Sequence, residues 1–268
     1  MRIQYASDLH INTYPAGTPF ETFVRPAAPI LVLAGDICSV SNPLYAEFLT
    51  WCKHLWPTIV LIAGNHEYFC EPNEIRTMEE TDQIIQTLCW KLGIYFLQGG
   101  QSISLPGTKF RFVGATLWSA IDPMIWPEVQ AKKREFQATF QRTQNQTIRA
   151  TIPSDLNSLH AKHRAYLASA FANKTEKEII IVVTHHMPTT QLLEAQYQTD
   201  RWRSCYASED EDLFVPNITA WICGHGHRAT QKVIPLGPLL LMNARGYPDQ
   251  VLRSHDPYNP EATFFVKN

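Results

Sequence analysis

"ILVLAGDICSVSNPLYAEFLTWCKHLWPTIVLIAGNHE" (residues 30–67) decides the fold class. Its two ends, 30–35 and 58–64, are short apolar runs rich in β-branched residues, with no polar alternation. Runs of this kind are strands buried on both faces. Between them Pro43 stands near a helix start, and apolar residues come after it at helical spacing. Strand, helix and strand in this order predict an α/β unit.

The same signals continue outward. "IIIVVT" (179–184) and "TAWICG" (219–224) are two further buried-strand runs. The stretch 74–93 predicts a helix with Ile84, Ile85, Leu88 and Leu92 on one face and Gly93 as its stop. Two segments look antiparallel instead. Pro106-Gly107 divides "QSISLPGTKFRFVGATLW", and Leu236-Gly237 divides "QKVIPLGPLLLMNA". The sheet is therefore mixed, or two sheets pack face to face. Residues 119–173 are polar and helix-biased, and are read as a helical insertion in one domain spanning 1–268.

Bulk composition narrows the function classes. Apolar residues make up 45% and charged residues 18%, which is globular. With 23 basic against 25 acidic side chains, no extended nucleic-acid surface is expected. The first residues lack a long apolar core, and no run approaches a membrane span. Cysteines 38, 52, 70, 89, 205 and 223 are scattered, without a C-x-x-C pair. That fits reduced, buried thiols and a cytoplasmic setting with no membrane partner. Oligomeric state leaves no mark.

The residues just past each strand carry the chemistry. The runs deliver Asp8 and His10, then Gly35-Asp36, then Gly64-Asn65-His66-Glu67, then His185-His186, and last Gly224-His225-Gly226-His227. Ligands of open α/β sheets bind beyond the carboxyl ends of strands. Residues i and i+2 of extended chain point to one side, so Asp8 can join His10, and His225 can join His227. Carboxylate, imidazole and one amide oxygen suit Mn²⁺, Fe²⁺ or Zn²⁺, and no thiolate set is present. So many ligands exceed one catalytic ion, whereas two ions sharing a carboxylate accommodate them.

The series D-x-H, G-D, G-N-H-E, H-H-x-P and G-H-x-H resembles the calcineurin-like metallophosphoesterases, in the family's order between residues 8 and 227. The flanks "MRIQYASDLH", "THHMP" and "NARGYP" are similar to a single-domain bacterial-type branch. The resemblance implies a four-layer α-β-β-α sandwich of two mixed sheets flanked by helices. It further implies one divalent ion held by Asp8, His10, Asp36 and His227, and a second by Asp36, Asn65, His185 and His225. Either histidine of "HH" could face the metal, and the family pattern points to His185. His66 would be no ligand but a proton donor or charge stabiliser over the substrate. Glu67 either orients an imidazole or is a surface acid.

Two ions, two carboxylates and a bridging hydroxide leave a net +1, which attracts a phosphoester and the charge that builds in its transfer. The implied activity is hydrolysis of a small phosphomonoester or phosphodiester such as a nucleotide. A nuclease of the same superfamily and a metal-stabilised, non-catalytic scaffold are the alternatives. "GDICSVS" lacks the Asp and Arg of the protein phosphatases, and Ser39 stands where purple acid phosphatases carry a tyrosine. For substrate contacts the candidates are Asn65, Trp118 as a flat wall at a strand end, and Arg245, which otherwise is a turn residue beside Gly246. His160 and His163 read as a packing face or solvated edge. Lys132, Lys133 and Arg134 read as a solvated face, and Phe136 and Phe140 as one helical face packing the insertion down.

Overall fold

In the computed structural model, which describes residues 1–99, 101–173, 175, 178–251 and 257–266, the strand–helix–strand unit forms where the sequence places it. The first part of the chain holds β1 (Arg2–Ala6), β2 (Ile30–Ala34), α1 (Pro43–Leu55), β3 (Thr58–Ile62), α2 (Met78–Leu92) and β4 (Tyr95–Phe96). The middle holds β5 (Gln101–Ser104), β6 (Phe110–Ala115), α3 (Trp126–Lys132), α4 (Glu135–Ala138), β7 (Phe140–Arg142), β8 (Ile148–Ala150) and α5 (Pro153–Ala172). The last part adds β9 (Ile179–Thr184), β10 (Ile218–Cys223), β11 (Ala229–Val233), β12 (Leu239–Asn243), α6 (Pro248–Val251) and β13 (Thr263–Phe265).

Two large mixed sheets result. One has the order β13-β1-β2-β3-β4, parallel except for β13. The other has the order β11-β12-β10-β9-β6-β5, parallel except for the two edge strands. Those edges are the outer strands of the two hairpins expected from Pro-Gly and Leu-Gly. Side-chain alternation explains the layers. Ile30, Val32, Val60 and Ile62 face Phe110, Phe112, Ile181 and Ile222 between the sheets. Leu31, Leu33, Ile59 and Leu61 face Phe48, Leu49 and Ile85 of the helices outside the first sheet. Val113, Val182 and Trp221 face Leu167 and Phe171 of α5 outside the second. Both faces of each sheet are thus apolar, which is why the strands read as unbroken runs.

Local signals set the helix ends. Asn42 accepts from Leu44 N at 3.0 Å and Pro43 opens α1. A reciprocal capping box between Thr77 and Glu80 starts α2 at Met78, later than residue 74, and Gly93 stops it at φ 65°. The buried stripe of α2 is Met78, Thr81, Ile85 and Cys89, whereas Ile84 is 45% exposed and not on the packing face. All six cysteines are buried and free. Among the described residues no helix is long and apolar enough to cross a membrane.

The segment 119–173 departs from an all-helical reading. Chain after α4 turns extended at Thr139, and β7 pairs with β8 as a separate ribbon. Phe140 is therefore a strand residue, and it shares no helical face with Phe136. Its last helix, α5, is the outer layer over the second sheet. His160 and His163 lie buried on that helix, with His160 3.2 Å from Leu117 O and 3.4 Å from Asp210 Oδ1.

A chain of polar contacts fastens the end of β3 to α2 and β6. Tyr68 donates to Asp82 Oδ1 at 2.7 Å and accepts from Gln98 Nε2 at 2.6 Å. The Thr116 hydroxyl lies 3.1 Å from Gln98 Oε1 and donates to Ala63 O at 2.7 Å. Burial raises the Asp82 carboxyl to about 7, with the Tyr68 hydrogen bond working against it. The folded chain therefore keeps a proton that the unfolded chain releases near pH 4, so this group removes stability as pH rises from about 4 to about 7. Asp82→Asn takes that slope away. Urea unfolding at pH 5 and pH 8 should show the variant gaining on the wild type at the higher pH, and an unchanged difference would contradict the protonated carboxyl.

Candidate functional site

Parallel pairing brings the carboxyl ends of β1, β2 and β3 beside those of β9, β10 and β12. The seam is stitched by backbone: Ser7 N donates to Asn243 O at 3.1 Å, Arg245 N to Ser7 O at 3.1 Å, and Gly246 N to Asp8 O at 2.9 Å. Just past the strands, Asp8, His10, Asp36, His225 and His227 all take left-handed backbone, with φ between 43° and 65°. Non-glycine residues rarely do so, and such strain persists only where neighbours over-determine it. Here Asp8 N donates to Gly35 O and His10 N to Asp36 O. Two glycines are needed for close approach. A Cβ on Gly64 would stand 2.2 Å from Asp36 Oδ1, and one on Gly224 2.5 Å from Asp8 Oδ2.

Among the described residues three overlapping ligand groups form: Asp8, His10, Asp36 and His227; Asp8, Asp36, His185 and His225; and His185, His186 and His225, each with ligand atoms within 4.8 Å of one another. Asp36 Oδ2 is 3.4 Å from His185 Nε2 and 3.9 Å from the Nε2 atoms of His10 and His66. Asn65 Oδ1 is 3.0 Å from His185 Nε2. Nε2 atoms of His10 and His227 face each other at 3.0 Å.

The donor set fits divalent cations. Nδ1 of His185 donates to Ala34 O at 2.8 Å, and Nδ1 of His227 lies 2.6 Å from Gln250 Oε1. Each leaves its Nε2 pointing into the cluster, the arrangement that outer partners impose on metal-binding histidines. Asp36 Oδ2 and His10 Nδ1 are buried without a hydrogen-bond partner. Burial opposes charge on His185, but Asp36 outweighs it and lifts the imidazole to about 10. Burial lowers His10 to about 3 and pushes His225 down as well. Asp36 is held well below the usual carboxylate range, burial being overcome by His185 and His66.

Residues 1–229 match the family model described as calcineurin-like phosphoesterase. The chain belongs to that family. It is a metal-dependent phosphoesterase with a His/Asp metal-binding cluster. An uncharacterized protein of Acanthamoeba polyphaga mimivirus is 24% identical, over 98% of this chain and 96% of the viral protein. Among solved structures, a phosphopantetheinyl hydrolase from Mycobacterium tuberculosis superposes with a TM-score of 0.68 at 14% identity, covering 96% of this chain and 93% of that one. A dimetal phosphatase from Danio rerio gives 0.49 at 14% identity, covering 92% and 87%.

In this phosphoesterase the eight residues proposed from sequence for metal and catalysis all meet at the seam, and the two remaining substrate candidates do not. His66 lines a cavity of about 660 Å³ together with Asp36, Asn65, His225 and His227. His186 packs its ring 5.2 Å from Trp118 and 4.1 Å from His225, and stands with His185 and His225 in one of the possible ligand groups. Trp118 is 1% exposed, inside the core beside Tyr68, because the chain at Leu117 and Trp118 turns left-handed and drives the indole inward. Arg245 also turns away. Its guanidinium stacks among Tyr14, Phe23 and Tyr258 and donates to Thr22 O, so it is a packing residue. The same "NARGYP" segment sends Tyr247 to the site, with its OH 3.2 Å from His66 Nε2 and its ring stacked on His10. Nothing at the level of residue spacing separates the two side chains.

Glu67 is neither a surface acid nor a partner for an imidazole. Fully buried, it accepts from Gly64 N at 2.7 Å, Asp36 N at 2.9 Å and Ile37 N at 2.7 Å, tying the ends of β2 and β3 together. Glu67→Ala strands three buried donors, and each costs about 1–3 kcal/mol. Denaturant unfolding of the chelated protein should show a loss of about 3 kcal/mol or more, with a smaller loss for Glu67→Gln, which keeps one acceptor oxygen. Wild-type stability in Glu67→Ala would contradict the tie.

Proposed function

We propose that this phosphoesterase holds two divalent transition-metal ions, Mn²⁺, Fe²⁺ or Zn²⁺, and hydrolyses a small phosphomonoester or phosphodiester such as a nucleotide. One ion would sit on Asp8, His10, Asp36 and His227, and the other on Asp36, Asn65, His185 and His225. The observation that carries the reading is the pair of ligand clusters sharing buried carboxylates at the floor of one cavity. When bound, the ions supply Lewis-acid stabilisation of phosphoryl charge and make water acidic enough to attack near neutral pH.

The chain's own residues do the rest. Asp36 reaches toward both clusters, and its Oδ1 accepts from His66 N at 2.8 Å, which sets the imidazole above the carboxylate. Tyr247 OH, 3.2 Å from His66 Nε2, holds that ring toward the cavity. Burial lowers the pKa of His66, so the resting ring is neutral. An arriving phosphate dianion favours the protonated ring, and His66 then gives its proton to the leaving oxygen. The phosphopantetheinyl hydrolase that shares the fold bears a name of the same broad reaction class, which supports the reading without choosing a substrate.

Elemental analysis of gently purified protein should approach two transition-metal ions per chain. Asp36→Asn should lower the content of both, because one side chain serves both clusters. Full hydrolysis of an aryl phosphate after exhaustive chelation would overturn the reading.

His66→Ala should keep its metals and lose about 10²- to 10⁴-fold in turnover of alkyl phosphates. For p-nitrophenyl phosphate, whose leaving group needs little protonation, the loss should be much smaller. Equal losses for both leaving groups would remove the proton-donor role.

A further inference from the structure

The cavity extends well past the metal-binding floor. About 660 Å³ is far more than one phosphate occupies, and its remote wall is built by the α3–α4 junction and the segment 193–206. On that wall Lys133 is set by local structure. Helix α3 ends at Lys132, and Lys133 turns extended while its N–H still bonds Val129 O at 2.8 Å. Its ammonium sits 2.6 Å from Tyr206 OH, 4.0 Å from the centre of the Tyr206 ring and 5.6 Å from that of Trp202. Tyr206 in turn lies against His225, with ring centroids 5.4 Å apart. Lys133 is thus one aromatic ring away from the metal-binding cluster.

Its neighbours contrast with it. Lys132 pairs with Glu128 at 2.9 Å, and Arg201 pairs with the other oxygen of that carboxylate at 2.9 Å. Among the described residues Lys133 has no ion pair. Glu135, an acid on the same wall, has its Oε1 engaged by Asn65 Nδ2 at 3.1 Å. Burial disfavours the ammonium, but Glu135 and Tyr206 outweigh it and hold its pKa above the ordinary value. An ammonium carries three donors, and Tyr206 takes one. A half-buried, charged group with donors to spare, facing a cavity, is built for an anion.

We propose that Lys133 anchors a second phosphate group of the substrate, so that the site prefers phosphoesters carrying two phosphates over those carrying one. This rests on the reading that the Asp/His clusters perform phosphoester hydrolysis. The solvated face expected for residues 132–134 is correct for Lys132 and Arg134, which are exposed, and wrong for Lys133.

The test compares kcat/KM for adenosine 3′,5′-bisphosphate and adenosine 5′-monophosphate in metal-replete protein, measured as released phosphate. Wild type should favour the bisphosphate by about tenfold or more, the value of one hydrogen bond to a charged group. Lys133→Met should erase that preference through KM, and Lys133→Arg should retain most of it, with metal content equal in all three. Equal kcat/KM for the two nucleotides in wild type would overturn the proposal, whether or not a variant folds. So would Lys133→Met losing both activities in step. A wild type inactive on both nucleotides and on p-nitrophenyl phosphate would instead overturn the hydrolase reading.

Discussion

Three backbone N–H groups, those of Gly64, Asp36 and Ile37, converge at 2.7–2.9 Å on the carboxylate of Glu67, which no water reaches. Burial and the nearby Asp36 charge lift this acid to about 8, while the amides stabilise its ionised form. The consequence is mechanical. The turns leaving β2 and β3 cannot move apart, so Asp36 and Asn65 are fixed relative to each other before any cation arrives. Asp36 then receives His66 N on one oxygen and leaves the other without a hydrogen bond, facing three imidazoles.

A cluster of two carboxylates and five imidazoles, nearly all shielded from water, opposes folding by itself. Desolvation pushes His10 and His225 toward neutrality, and five of the side chains hang on left-handed backbone. Such features persist because the two sheets meet there. Ser7 bridges to the end of β12, and His225 N donates to the Asp8 carboxylate at 2.9 Å, so the strained turns after β1 and β10 are held across the two sheets. Divalent cations relieve the remaining opposition by giving the buried lone pairs a partner. Stability and metal affinity are coupled through the same atoms.

Above that floor the chemistry changes. His66 and Tyr247 stand at its edge, and the remote wall is made of aromatic rings that carry a lysine ammonium. On the proposed reading the floor would serve any phosphoester, whereas the wall would distinguish what is attached to it. Rigid strand ends and a loop-built wall divide these two tasks between parts of the fold with different freedom to vary.

Much of this was legible in the linear chain. Apolar runs bounded by Gly-Asp or Gly-Asn-His report strands buried on both faces that deliver polar groups at their ends, whereas the extended chain expected at Asp8–His10 and His225–His227 is replaced by left-handed turns. Those signals are local, so the sequence by itself determined the mixed α/β class, both hairpins and the candidate metal-binding residues. Side-chain direction at the strand exits was decided only in three dimensions. Trp118, Arg245 and Tyr247 all lie just past strand ends, yet the left-handed turn at Trp118 sends one inward, three aromatic rings hold the second, and only the third reaches His66. Glu67 looked like an acid beside a histidine, and its three amide partners come from two strands brought together by parallel pairing. Lys133 looked like one of three surface cations until the extended turn after α3 set it over Tyr206. Orientation of this kind depends on contacts between residues far apart in the chain, and no spacing within it records them.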